Sequence, residues 1–432
     1  MNRDWLAVFE ALKAVYSDGA FSNISINEAV SRHKGSRESF VRTFAKGVLR
    51  DSIRLDFIIG RLADKGLESI KQRPLIILRM GIYAIDCLDS VPEHAAVSEA
   101  VELTKRVAKG SDRFVNGMLR GYLRRKAEFD PELLEPHIRY SFSKGVYSLL
   151  SEQYGEEVND IVEALNTPPE VYLRANTLKA GRDDVAEMLR EQGIDARPCE
   201  ENSEAINAKG SGIVSSPLYR QGFYTVQSLS SMMAVKALGP EPGSKVLDLC
   251  SAPGGKTGYM AELMGNEGSI TACDIYPHRL MLTQAAMKRL GVSICVHEER
   301  DAAVFDPSFE DSFDYVLADV PCSGLGVIAG KPEIKLTADP AGYDELIKLQ
   351  KAILTNALRY VKPGGRLEYS TCTLNKNENE KVVKDVLSKA GSSASLVEMV
   401  TIMPYNGKVG FFYTIIEKTE ESKERNKENN KD

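Results

Sequence analysis

The sequence predicts a multidomain protein of three parts: an all-α N-terminal domain, a small α/β linker domain and a larger, doubly wound α/β domain. Three observations carry this reading. At roughly 100 to 200 residues per domain, the 432 residues fill two or three hydrophobic cores. Up to about residue 126 the apolar residues recur at helical spacing, and from Lys245 onward short apolar strands alternate with helices. With 43% hydrophobic and 27% charged residues, 33 Gly and 18 Pro, the composition is globular and excludes collagen-like, low-complexity and wholly disordered classes. No apolar run approaches the ~18 residues of a membrane span. Met1-Asn2-Arg3-Asp4-Trp5 contains no apolar signal core, so a cytoplasmic protein with no membrane partner is expected.

In the N-terminal part, Trp5, Val8, Phe9, Leu12, Val15 and Tyr16 form one apolar stripe, with Gly19 as its stop. Further helices are expected over 37–65, 74–86, 92–109 and 112–126. In the last, Phe114, Val115, Met118 and Tyr122 fall on one side, while Arg113, Arg120 and Arg124 lie within about 40° of one another on the opposite side. One face packs and the other is cationic, either a solvated surface or a strip that tracks phosphates.

Net charge sharpens that choice. The overall −6 argues at first against a polyanionic partner, yet residues 1–150 hold 24 Lys and Arg against 19 Asp and Glu, and the remainder 31 against 42. The acidity belongs to the C-terminal two thirds.

Residues 131 to about 165 read as a helical linker, broken at Thr167-Pro168-Pro169. A small α/β segment follows, with a strand over 171–176, a helix over 183–192, an extended piece near 196–199, and Gly222-Phe223-Tyr224 leading into another helix. Domains are therefore expected at 1–130, 131–235 and 236–416, followed by a charged, disordered tail at 417–432.

In the C-terminal part, strands are expected at 246–250, 269–274, 314–319 and 365–371, with helices at 258–264 and 275–290. Alternation of this kind implies a parallel sheet with right-handed crossovers and ligands at the carboxyl ends of its strands. The turn Ser251-Ala252-Pro253-Gly254-Gly255-Lys256-Thr257 follows the first strand and permits close backbone approach to a ligand. Asp274 closes the second strand about twenty residues on, where a carboxylate accepts hydrogen bonds from ribose hydroxyls. A nucleoside-bearing cofactor fits both features. A phosphate-cradling P-loop is the nearest rival, but it requires Gly where Cys250 stands.

Seven cysteines, Cys87, Cys199, Cys250, Cys273, Cys295, Cys322 and Cys372, are scattered and form no C-x-x-C pair, so neither a disulfide framework nor a metal site is expected. Two of them end strands, in Asp319-Val320-Pro321-Cys322 and Thr371-Cys372, and should face the same crevice as the glycine turn. Thiols suit methylation of cytosine carbon 5, a poor nucleophile until a thiolate adds to carbon 6. Methylation of an exocyclic amine needs no thiolate and typically uses an Asn/Asp-Pro-Pro-aromatic element, which is absent here.

The helical part resembles a NusB-like RNA-binding domain through Val91-Pro92-Glu93-His94-Ala95-Ala96-Val97, Phe114-Val115-Asn116-Gly117 and Leu119-Arg120. The whole chain resembles the bacterial 16S rRNA (cytosine-5)-methyltransferases of the Sun/Fmu type, through the turn from Cys250 to Lys256, Asp274, Arg300-Asp301-Ala302, Asp319, Pro321-Cys322, Thr371-Cys372 and Asn377-Glu378-Asn379-Glu380. The resemblance implies a Rossmann-like class I methyltransferase domain. It implies S-adenosylmethionine as cofactor, contacted by Cys250, Ser251, Ala252, Pro253, Gly254, Gly255, Lys256, Asp274, Asp301 and Asp319. It makes Cys372 the nucleophile and Cys322 the thiol that assists release of the methylated RNA. Asp319 would also contact the cytosine edge, and Arg174 and Asn176, with Arg113, Arg120 and Arg124, are expected to bind or position RNA. The expected partner is 16S rRNA, unassembled or partly assembled, bound by a monomer. The alternatives are another RNA such as tRNA, or a non-catalytic ribosome-assembly factor. Against the family pattern, Ser251 replaces Ala, Ser228 a common Asp, Leu336 a frequent Trp, and Lys408-Val409-Gly410 an Asp-Gly turn.

Overall fold

The computed structural model describes residues 2–419, which divide into two units: residues up to Thr167 together with Ile328–Pro340, and Pro168–Val327 together with the chain from Ala341. In the first unit the apolar stripe becomes the buried face of α1 (Arg3–Asp18), capped by the Asn2 side chain and closed at Gly19, whose φ of 64° suits glycine. The unit continues through α2 (Ser22–Arg32), α3 (Glu38–Arg50), α4 (Ser52–Leu62), α5 (Gln72–Cys87), α6 (Glu93–Val107), α7 (Asp112–Arg125), α8 (Pro136–Arg139), α9 (Lys144–Tyr154) and α10 (Val158–Ala164). Its core joins Trp5 edge-on to Phe44 at 5.1 Å, with Phe44 stacked on Tyr83 at 5.9 Å. Such ring pairs add roughly 0.5–1.5 kcal/mol beyond their buried area. On α7 the buried stripe is Val115, Leu119 and Tyr122; Phe114, expected to pack, is 42% exposed, because Leu119 takes the core position one turn beyond Val115. Arg113, Arg120 and Arg124 are exposed, as the cationic face requires.

The second unit opens with β1 (Tyr172–Ala175), α11 (Arg182–Glu191), β2 (Asp195–Pro198), β3 (Ala205–Lys209), α12 (Pro217–Arg220) and β4 (Tyr224–Val226), whose strands form an antiparallel sheet in the order β2-β3-β1-β4. After α13 (Leu229–Leu238) come β5 (Lys245–Asp248), α14 (Gly255–Leu263), β6 (Ser269–Asp274), α15 (Pro277–Leu290), β7 (Cys295–Glu299) and β8 (Phe313–Asp319). Residues 328–340, with α16 (Ile334–Thr337), belong to the first unit, and the second resumes with α17 (Tyr343–Tyr360), β9 (Val361–Thr371), α18 (Glu380–Ala390), β10 (Ala394–Ile402) and β11 (Phe411–Lys418).

The large sheet runs β10-β11-β9-β8-β5-β6-β7. Its strands β9-β8-β5-β6-β7 are parallel, whereas β11 pairs antiparallel with β9 and β10, so the expected all-parallel sheet is mixed. The reason is connection length: the eight residues between β10 and β11 suit a hairpin, while a parallel return needs a dozen or more. The same pairing corrects the expected start of the tail, since Glu417 and Lys418 pair with Ser395 and Ala394. The rest of that tail, from residue 420, lies outside the described residues. Among the described residues no helix is long and apolar enough to cross a membrane.

The two compact units group the chain differently from the three expected segments. The first extends past residue 130 to Thr167 and takes in 328–340, so the C-terminal α/β segment is interrupted. Lys335 anchors that interruption. It is 5% exposed, and its ammonium donates to Arg50 O at 3.0 Å, Tyr140 O at 3.1 Å and Asn166 Oδ1 at 2.6 Å, over the Phe142 ring. Burial lowers its pKa to about 7, with Asp51 opposing and Arg50 adding to the effect. Above pH 7 the folded protein therefore sheds a proton that the unfolded chain keeps up to the ordinary lysine value of about 10.4, and stability rises with pH over that window. Denaturation followed by the fluorescence of Trp5, the sole tryptophan, is expected to show a midpoint that climbs from pH 7 to 9, and Lys335→Met to flatten the climb. An equal slope in both proteins would assign the effect elsewhere.

Candidate active site

The site lies at the carboxyl ends of β5, β6, β8 and β9, where strand order reverses around β5. Asp248 ends β5, 1% exposed, and accepts a hydrogen bond from Thr257 Oγ1 at 2.7 Å, which ties the first turn of α14 to the strand. Burial pushes its pKa up to about 7. The turn closes with Gly254 at φ 98°, and a Cβ there would stand 3.1 Å from Thr283 Cα, so the backbone conformation and the contact with α15 both favour glycine. Lys256 donates to Asp319 Oδ2 at 2.6 Å, and Asp319 Oδ1 accepts from Ser370 Oγ at 3.1 Å. Burial disfavours the Lys256 ammonium, but Asp319 and Glu368 outweigh it and hold its pKa above the usual lysine value.

Asp274 ends β6, 2% exposed. Its Oδ1 accepts from Tyr276 N at 3.1 Å, while Oδ2 is buried without a hydrogen bond, with the Arg279 guanidinium 3.4 Å away. Asp301, exposed, borders a cavity of about 390 Å³ that Leu249, Ala302, Val304 and Phe305 also line. The Asp274 acceptor at the end of β6 suits a ribose hydroxyl, and the cavity, lined by apolar side chains together with Glu299, Arg300, Asp301 and Asp306, suits a purine ring.

The two strand-end thiols meet. Cys322 Sγ and Cys372 Sγ are 3.2 Å apart, both are reduced and half-buried, and the Cys372 N–H donates to Cys322 Sγ at 3.3 Å. The hydrogen bond to Cys372, then burial, raises the Cys322 thiol above its ordinary value. The Asn-Glu-Asn-Glu segment clamps both loops. Buried Glu378 accepts from Ser323 N at 2.8 Å and Ser323 Oγ at 2.5 Å beside Cys322. Asn379 accepts from Thr371 Oγ1 at 2.6 Å and donates to Thr373 O at 3.0 Å, on either side of Cys372. Cys250, in the turn, has its thiol raised well above the ordinary value by burial and by Asp248, Asp319 and Asp274, so it suits lining rather than attack.

Residues 235–420 match the 16S rRNA methyltransferase RsmB/F family, residues 5–124 the NusB family, and residues 146–214 the ferredoxin-like domain of RsmF/B-like methyltransferases. The chain is 33% identical over 383 residues to the probable ribosomal RNA small subunit methyltransferase B of Bacillus subtilis (strain 168), covering 87% of this chain and 86% of that one. It belongs to the RsmB/F methyltransferase family. A second member, the probable ribosomal RNA small subunit methyltransferase B of Synechocystis sp. (strain ATCC 27184 / PCC 6803 / Kazusa), is 32% identical over 95% of this chain and 98% of its own. The crystal structure of the protein PH0851 superposes with TM-score 0.83 at 26% identity, covering 96% of this chain and 98% of that chain.

Two residues of this RsmB/F chain stand elsewhere than expected. Arg174 and Asn176 are both fully buried, which excludes direct RNA contact. Arg174 holds Glu262 by two bonds of 2.7 and 2.8 Å, and donates to Gly255 O at 2.6 Å and to Gln227 Oε1. Asn176 donates to Gly222 O and Leu290 O, both at 2.8 Å. The pair fastens the small sheet to α14 and α15, beneath the glycine turn. Ser228 caps α13 by accepting from Ser231 N at 3.3 Å, the same service an Asp performs, so this departure from the pattern is neutral. Sequence reasoning missed Asp248 and Glu368, whose signal is a carboxylate inside an apolar strand.

Proposed function

We propose that this protein transfers a methyl group from S-adenosylmethionine to carbon 5 of a cytosine in 16S rRNA, through a covalent bond between Cys372 and the base. The observation that supports this most is the 3.2 Å approach of the Cys322 and Cys372 sulfurs beside the glycine turn. The cofactor, when bound, supplies an electrophilic methyl group. Cys250 to Lys256 would form its cradle, Asp274 would accept from its ribose through Oδ2, which makes no hydrogen bond in the protein, and Asp301 would border the space for its base.

Cys372 adds to carbon 6 and makes carbon 5 enamine-like. Asp319, held by Lys256 and Ser370, is fixed to receive the amino edge of cytosine. Cys322 stays out of the first addition and assists release: after methyl transfer the carbon 5 proton leaves to solvent, the bond between carbon 6 and the Cys372 sulfur breaks, and the departing thiolate takes its proton from the Cys322 thiol. The target base leaves any stack to reach Cys372. Arg113, Arg120 and Arg124 supply phosphate contacts, which makes binding salt-dependent.

Labelled S-adenosylmethionine incubated with unmodified rRNA, followed by nucleoside analysis, is expected to yield 5-methylcytosine at one 16S position. Label in another nucleoside, or in tRNA alone, would replace this reading. A lack of transfer together with RNA binding would favour an assembly factor. Deletion of residues 1–126 is a poor control, because it removes Arg50, a partner of buried Lys335.

A further inference from the structure

Glu368 is the one charged residue between Leu367 and Thr371 at the end of β9, and its neighbours in register are Leu317 on β8 and Ile415 on β11. It is fully buried, and neither carboxyl oxygen has a hydrogen-bond partner. Lys256, the nearby ammonium, spends its ion pair on Asp319, and among the described residues no ion pair reaches Glu368. The Ser370 hydroxyl nearby gives its close hydrogen bond to Asp319, at 3.1 Å, and a carboxylate removed from water with neither an ion pair nor a close hydrogen bond is held as the neutral acid.

Strand alternation puts Glu368 and Ser370 on one face of β9, and Cys372 follows directly after the strand's last residue. Ser370 binds Asp319, which is opposite it in register and which binds Lys256. Lys256 in turn interacts electrostatically with Asp319, Glu368 and Cys372.

We propose that Glu368 is a positioning residue for Cys372: a carboxyl group kept protonated so that the Lys256 charge remains committed to Asp319 and the Cys372 thiolate. The proposal rests on Cys372 being the nucleophile. Every group facing Glu368 has a defined part. Burial pushes the Glu368 pKa up to about 8; Lys256 from α14 and the Ser370 hydroxyl oppose this, while Asp319 from β8 and Asp248 from β5 reinforce it. Tyr413 from β11 feels Glu368 but gives its hydroxyl to Glu398 at 3.0 Å. Above that pH a second negative charge competes for Lys256, and ionising Cys372 becomes harder. The two titrations oppose one another.

The test uses the full chain without RNA. Alkylation of Cys372 by iodoacetamide, read by mass spectrometry of its peptide, is followed from pH 6 to 10 in the wild type and Glu368→Gln. The profiles should coincide up to about pH 7 and separate above it, with the variant reaching half-maximal rate about one unit lower, a ~10-fold gain between the two midpoints. Infrared difference spectra at pH 7, wild type minus Glu368→Gln, should show a protonated-carboxyl band, the contribution of Asp248 being common to both proteins. Should that variant not fold, Glu368→Leu carries the same expectation. Superimposable alkylation profiles, or no such band, would overturn the proposal. Separated profiles in a protein that fails to methylate cytosine would leave it standing and defeat the proposed function instead. Coincident profiles in an active enzyme would defeat it alone.

Discussion

Cys322→Ala is expected to arrest the protein with RNA covalently attached through Cys372, whereas Cys372→Ala forms no adduct and loses methyl transfer by roughly 10,000-fold. The asymmetry follows from the proposed roles: with Cys322 assisting release and Cys372 adding to carbon 6, removing Cys322 spares addition and blocks release, whereas removing Cys372 prevents addition. Adduct is read as protease-sensitive slowing of labelled RNA on a denaturing gel, and transfer as label at carbon 5. The double variant should behave as Cys372→Ala. The reverse pattern would exchange the two roles. Because Glu378 and Asn379 set the loops that carry both thiols, neither single substitution should disturb the other sulfur by much.

Arg174→Ala is expected to cost roughly 3–5 kcal/mol of stability, the loss that follows when one member of a buried ion pair is removed. Its side chain is 0% exposed and that of Glu262 1%, so the abandoned carboxylate meets no water. Burial already holds Glu262 above the usual carboxylate range despite Arg174, so the pair itself sits near balance and only its separation is expensive. Chemical denaturation followed by circular dichroism checks this. Arg174→Met with Glu262→Leu should recover most of the loss. A cost of Arg174→Ala below about 1 kcal/mol would show that the pair is not load-carrying. The bond to Gly255 O adds a second expectation, weaker cofactor binding, since it anchors the start of α14.

Much of this was legible in the residue order, for a local reason. The stripe of α1 and the apolar run of Ser269–Asp274 are periodic signals within one element, and each survives intact. The edge strand Cys295–Glu299 was missed because its pattern is half-exposed and polar, with His297, Glu298 and Glu299 in succession. Phe114 was placed on the wrong side because a helical wheel ranks neighbours by angle and cannot tell which of two apolar residues the core receives.

The sequence by itself determined the three-part architecture, the strand-end cysteines, the glycine turn and the cationic face of α7. Each is written in spacing along a single strand, turn or helix. Only the tertiary structure decided that Arg174 and Asn176 turn inward, that 328–340 belongs with the helical unit, that Glu378 and Asn379 hold both thiol loops, and that Glu368 lies unpaired beside Lys256. The physical reason is that a charged side chain's role depends on its solvent and its partner, and those partners stand up to 285 residues away in the chain.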